Sequence, residues 1–153
     1  IETLKESFYL YKMGCTPSAL RAVKANYDEI EAVGKAIGVR VMQYPESTWT
    51  DQSTVMGAAF DPQLAIEYAS GPSSMKSRYI SEDVPCGLVP IASLGHQLNV
   101  PTPIIDAVIE LASVMNQKDY REESRKEGLS LEELGIAGLS KDELAKVLEE
   151  GWS

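Results

Sequence analysis

The sequence predicts an all-α fold. Apolar residues recur at three- and four-residue steps through its long segments, and helix-starting and helix-stopping residues bracket those segments. The one β-like run, Val39-Arg40-Val41-Met42, has no partner strand and reads as an extended connection.

The first long helix begins at Thr16-Pro17, a favoured N-cap followed by a proline that the first turn tolerates. Leu20, Val23, Tyr27, Ile30, Gly34 and Ile37 then share one face, and Gly38 stands where a left-handed C-terminal cap belongs. Gly34 on that stripe would admit a second helix at close range. Residues 44–53 are polar, contain Pro45 and Trp49, and read as a loop. Residues 62–68 predict a helix ended by Ser70-Gly71-Pro72, and 73–77 another loop. Leu88, Ile91, Ala92 and the run Leu94 to Leu98 mark a helix that closes near Asn99. The clearest helix follows: Thr102 caps it, Pro103 opens it, and Asp106 favours its positive end. Its predicted buried stripe is Ile104, Ile105, Val108, Leu111, Ala112 and Met115.

Residues 117–153 hold 16 of the 37 charged residues, so they predict a solvated helical appendage on a more apolar body. Within them Ser130-x-x-Glu133 and Ser140-x-x-Glu143 form two capping boxes, which predict short helices, the second ended by Gly151. Gly135 and Gly138 frame the turn between them.

Composition narrows function. With 153 residues and 44% hydrophobic content, one globular domain with a core is expected. The net charge of −9, without a basic stripe, disfavours a nucleic-acid partner. No apolar run approaches the roughly 18 residues of a membrane helix, and residues 1–13 lack the apolar stretch of a signal peptide. A cytoplasmic protein is expected. The chain starts at Ile1, which reads as an excised or processed piece. Cys15 and Cys86 lack metal or redox spacing and read as reduced thiols.

No G-x-G-x-x-G, no G-x-x-x-x-G-K-[ST], no C-x-x-C and no H-E-x-x-H occurs, so the sequence offers neither a phosphate cradle nor a metal motif. His96, the sole histidine, lies near a helix end and reads as a surface or capping residue. Arg78 presents a planar fork of donors suited to a carboxylate. Asp83 lies five residues on, and its spacing before Val84-Pro85 reads as a helix cap or ion-pair partner.

Arg78-Tyr79-x-x-Glu82-Asp83-Val84-Pro85-x-Gly87-Leu88-Val89-Pro90 resembles the signature of the α-helical C-terminal domain of the octopine/nopaline (opine) dehydrogenases. Phe8-Tyr9, Gly14-x-Thr16-Pro17-Ser18, Val100-Pro101-Thr102-Pro103 and Leu134-Gly135-x-x-Gly138-Leu139 agree in order, so the similarity runs from about Phe8 to Gly151. The resemblance implies a multi-helix substrate-binding domain of the 6-phosphogluconate dehydrogenase C-terminal-like type, residues 1–153. Its N-terminal Rossmann domain, which binds NAD or NADP, would lie outside this chain. It implies an NAD(P)-dependent enzyme that condenses an amino acid with a 2-keto acid and reduces the imine. Arg78 matches the arginine that binds substrate carboxylate, and Asp83 the aspartate that orients the catalytic histidine. No residue here matches that histidine, which is expected upstream of residue 1, so the fragment alone is expected to be inactive. Trp49, Met75 and Tyr79 are candidates for lining a specificity pocket, although Tyr79 is expected mainly to pack. A surface left by a separated domain is compatible with a homodimer. The alternatives are a ketopantoate reductase-like helical domain, where Lys35 or Lys76 would have to serve, and a non-enzymatic helical interaction module.

Overall fold

Helix-capping chemistry sets most element boundaries in the computed structural model, which describes residues 2–4, 6–50 and 71–151. Among these residues the elements are helical and no β-strand forms. The helices are α1 (Pro17–Ala36), α2 (Ser47–Thr50), α3 (Arg78–Ser81), α4 (Val89–Gln97), α5 (Pro103–Asn116), α6 (Tyr120–Lys126) and α7 (Lys141–Glu150). Two π-helical turns occur, Leu10–Gly14 and Val84–Leu88. The helix predicted at 62–68 lies outside the described residues. The chain divides into two compact units, Ile1–Tyr27 with Met42–Ser77, and Asp28–Val41 with Arg78–Ser153.

In the first unit the Thr16 hydroxyl accepts the Ala19 N–H at 3.3 Å and so starts α1 as its sequence requires. Gly71 donates to the Phe8 carbonyl at 2.6 Å, and a Cβ on Gly71 would collide with the Phe8 ring. Residues 47–50 form α2 where a loop was expected: the Thr48 and Trp49 N–H groups donate to the Pro45 and Glu46 carbonyls, and Trp49 finds aromatic neighbours. Thr48 is buried, and Trp49 packs against Tyr27 and Tyr44 with ring centroids 5.0 and 5.6 Å away. The Tyr27 hydroxyl donates to the Met42 carbonyl.

In the second unit the core joins Val84, Val89, Ala92, Ile105, Ile109, Ala112 and Tyr120, with Ile30, Ile80, Leu88 and Ile91 packed around it. Gly95 brings α4 close to its neighbours: a Cβ there would lie 2.8 Å from Thr102 Cγ2 and 3.2 Å from Val33 Cγ2. Gly34 is also close-packed, but against the returning segment at Val39 and Val41 and not against another helix. Gly38, at φ +80°, ends α1 as expected.

Thr102 occupies the N-cap of α5 without capping it through its side chain. Its hydroxyl turns instead to Asp106 Oδ2, at 3.1 Å. The Glu29 carboxylate on α1 takes over, accepting the Ile104 N–H at 2.9 Å and the Ile105 N–H at 2.9 Å. A carboxylate at a helix N-terminus answers both the unpaired amides and the positive end of the dipole.

The expected buried stripe of α5 holds only in part. Ile105 and Ala112 are buried, together with Ile109, whereas Ile104, Val108, Leu111 and Met115 are exposed. The tail also differs from a solvated appendage. Tyr120 is 1% exposed within the core, its hydroxyl accepting from Asn116 Nδ2 at 3.0 Å. Ser140 and Glu143 close a complete capping box on α7, and Gly151 ends that helix. The Ser130 hydroxyl donates to the Glu133 carboxylate at 3.0 Å and accepts the Glu133 N–H at 3.3 Å, but this pair holds only a turn. Gly135 and Gly138, at φ +73° and +74°, end it before a helix can grow. Gln97 fastens this turn region: its amide donates to the Ile136 and Leu139 carbonyls and accepts from the Gly138 N–H at 2.7 Å.

Candidate functional site

The segment bearing Arg78 and Asp83 is a nearly continuous run of helical turns from α3 into α4. Pro90 has no N–H for the Cys86 carbonyl, and its ring would crowd that carbonyl in a regular α-helix. The chain answers with the π turn Val84–Leu88, in which the Val89 N–H reaches the Val84 carbonyl five residues back. Val84 and Pro85 are buried and anchor this turn. The polar residues just before it stay outside.

Arg78 has a side chain 77% exposed, and its Nη2 donates to Glu82 Oε1 at 3.1 Å along one helical turn. An exposed pair of this kind is weak and exchanges readily for a stronger anionic partner. Asp83 is exposed, in helical backbone conformation, and its side chain makes no cap bond. The capping role that its spacing suggested is therefore absent. Tyr79, expected to pack, is 52% exposed and joins this polar rim. The Cys86 thiol beside it is pushed above its ordinary value by burial and then by the carboxylates of Glu127, Glu82 and Asp83. That makes it a poor nucleophile. Cys15 and Cys86 are both free thiols.

A second polar group gathers at the starts of α5 and α6. His96 Nε2 donates to Asp106 Oδ2 at 2.9 Å, and Arg121 Nη2 donates to Asp106 Oδ1 at 2.6 Å. Arg121 Nε also reaches Glu110 Oε1 at 3.4 Å. Because an ionised carboxylate only accepts, the proton of this His96 bond lies on Nε2. Burial raises the Asp106 carboxyl, but hydrogen bonds from Arg121, His96 and Thr102 outweigh it and hold the group below its ordinary value. His96 is thus engaged with Asp106 and not with Asp83. Sequence spacing placed His96 at a helix end but gave no sign of Arg121, which lies far along the chain.

Of the remaining candidates, Trp49 is committed to the Tyr27–Tyr44 cluster, and the Met75 N–H donates to Glu2 Oε1 at 3.2 Å. Dinucleotide phosphates require a strand, a glycine-rich turn and a helix in succession. The described residues contain no strand, and Gly38, Gly128, Gly138 and Gly151 serve as positive-φ turns or helix ends. They do not build a nucleotide cradle. No group of three or more His, Cys, Asp or Glu among the described residues is placed to hold a metal ion. No helix there is long and apolar enough to cross a membrane.

Residues 1–116 match the family described as NAD/NADP octopine/nopaline dehydrogenase, alpha-helical domain. The chain is also 38% identical over 137 residues to an opine dehydrogenase of Arthrobacter sp. (strain 1C). The aligned stretch covers 87% of this chain and 37% of that relative, so the chain spans little more than a third of the relative's length.

Proposed function

Because the chain belongs to the NAD/NADP octopine/nopaline dehydrogenase family as its α-helical domain, we propose that it is the substrate-binding part of an opine dehydrogenase. Such an enzyme joins the amine of an amino acid to a 2-keto acid, with loss of water, and reduces the imine with NADH or NADPH. On this reading the nucleotide binds an N-terminal Rossmann domain of the full protein, a reading supported by the NAD/NADP description of the family.

One observation supports the reading best. Arg78 and Asp83 stand exposed on one short helical stretch, with Arg78 paired among the described residues to a surface carboxylate and Asp83 released from capping. Both substrates and the product carry carboxylates, which the Arg78 guanidinium can grip with two parallel hydrogen bonds. Asp83 accepts one N–H of a catalytic imidazole, fixing its tautomer and stabilising its protonated form. That imidazole comes from elsewhere in the full protein, because His96 is bound to Asp106.

The test is NADH and NADPH oxidation by the full-length protein with pyruvate across a panel of amino acids. Oxidation that requires both an amine and a keto acid supports the proposal and names the substrate. Oxidation with the keto acid alone reassigns the protein as a 2-keto acid reductase.

A further inference from the structure

A cleft of about 240 Å³ lies beside α6, bounded by α4 and by the turn region after Gly128. Its apolar walls include Val89 and Leu131, and its polar groups include Arg121, Ser124, Arg125 and Glu132. Neither Arg78 nor Asp83 contributes to it. The four polar residues also fall outside the stretch 1–116 that matches the family.

Three features set this cleft apart from ordinary surface relief. Arg121 and Arg125 are one helical turn apart on α6, so their guanidinium groups share a face and repel each other unless an anion lies between them. Arg121 is partly neutralised by Asp106 and Glu110, whereas Arg125 makes no side-chain hydrogen bond or ion pair among the described residues. Its fork of donors is therefore uncommitted in a chain of net charge −9, where carboxylates outnumber cations. The second feature is Ser124, which lines the cleft, is 1% exposed, and has a buried hydroxyl without a hydrogen-bond partner. Buried hydroxyls are nearly always satisfied, and this one is sealed from the cleft as it stands, so it reaches a group in the cleft only when its side chain turns outward. The third is Glu132, which adds one carboxylate to a cleft otherwise furnished with donors.

We propose that this cleft is a second binding site, for a small zwitterion: a molecule carrying a carboxylate and, a short spacer away, an ammonium group. Arg125 and the free edge of Arg121 hold the carboxylate, the Ser124 hydroxyl adds a donor when the helix face adjusts, and Glu132 receives the ammonium. The volume lies below the roughly 300–1,000 Å³ typical of drug-sized ligands, which restricts the occupant to a free amino acid or something of similar size. Neither Arg78 nor Asp83 lines it, so the proposal sets its occupant apart from the substrate proposed at the Arg78–Asp83 rim.

The experiment is an NMR titration of the full-length protein with L-alanine, acetate and ethylammonium, read at the backbone amides of Ser124 and Leu131. It is carried out in wild type and in R78A, so that binding at the proposed substrate site is separated from binding in the cleft. The expected result is that L-alanine shifts both amides equally in the two backgrounds, while acetate and ethylammonium bind at least about tenfold more weakly. R125A and E132Q, both at exposed positions, each weaken L-alanine by about tenfold or more, the loss of one charge-assisted contact. No shift of these amides with up to about 50 mM L-alanine overturns the site, since affinity weaker than that has no binding role at cellular amino-acid levels. Acetate binding as well as L-alanine, with E132Q silent, overturns the zwitterion assignment. Shifts that vanish in R78A return the signal to the substrate site and also overturn the proposal.

Discussion

At the residue scale, exposure separates the roles open to Arg78 and Asp83. On the proposed role, Arg78→Ala removes the carboxylate grip, so kcat/KM of the full-length protein should fall by about 2–4 kcal/mol equivalent, with KM for the carboxylate substrate rising. Asp83→Asn keeps the size of the side chain but loses the acceptor proposed for the imidazole, so on that proposal kcat should fall while the melting temperature stays put. A D83N protein that melts early but turns over normally would make Asp83 structural. Glu29 caps two amides, one of them on fully buried Ile105. Glu29→Ala should therefore cost about 1–2 kcal/mol in urea unfolding, with activity retained per folded molecule. Asp106 has a folded-state pKa below its unfolded value, so its contribution is present above the ordinary carboxylate range and lost as pH falls through the lowered folded value. Asp106→Asn should flatten the acid limb of the stability profile measured by denaturant midpoints between about pH 6 and pH 3. A motif of fixed spacing singled out Arg78 and Asp83 in the sequence, and the structure adds that both are exposed. The sequence hid the Glu29 cap, because the amides it satisfies lie 75 positions away, and local capping rules pointed to Thr102 instead.

Among the elements, periodicity located helices better than it located their buried faces. α1 begins at Thr16, ends at Gly38 and buries Leu20 and Val33, yet Val23 on its predicted stripe is 52% exposed. α5 is apolar almost all round, so a period near 3.6 marks it as helical without saying which side meets the core. The capping boxes show the same limit. Ser130 and Glu133 specify a first turn, but two positive-φ glycines follow within eight residues, and propagation fails. Gly95 illustrates a constraint that no local pattern reveals. Its α-hydrogen faces Thr102, the Val100 carbonyl and Val33, all within about 3.2 Å of where a Cβ would sit. Gly95→Ala should destabilise the second unit by about 1–3 kcal/mol, despite the better helix propensity of alanine, as a calorimetric scan of the variant would register. An unchanged or raised melting temperature would mean that α4 shifts freely at this point.

For the whole molecule, the exposed apolar residues carry the main consequence. Ile104, Val108, Leu111 and Met115 recur along α5 at helical spacing and are all exposed, Leu111 at 62%. Large contiguous apolar surface in water favours association. The isolated 153-residue chain should therefore show a sedimentation coefficient that rises with concentration, and Leu111→Glu should reduce that rise without lowering the melting temperature. Concentration-independent sedimentation of the wild-type chain would contradict this. The π turn Val84–Leu88 sets one further limit on how chains of this kind can vary. It is an α turn carrying one additional residue, and each residue of an α-helix advances the chain by roughly 100° about its axis. A deletion of one position there would swing the Arg78–Asp83 rim about a quarter-turn around the axis of α4, and would carry Ile80 and Val84 away from their core neighbours with it. Because Ile80 and Val84 lie on the same swinging segment and belong to or pack against the core, length between Asp83 and Val89 ties the direction in which the rim faces to the packing beneath it.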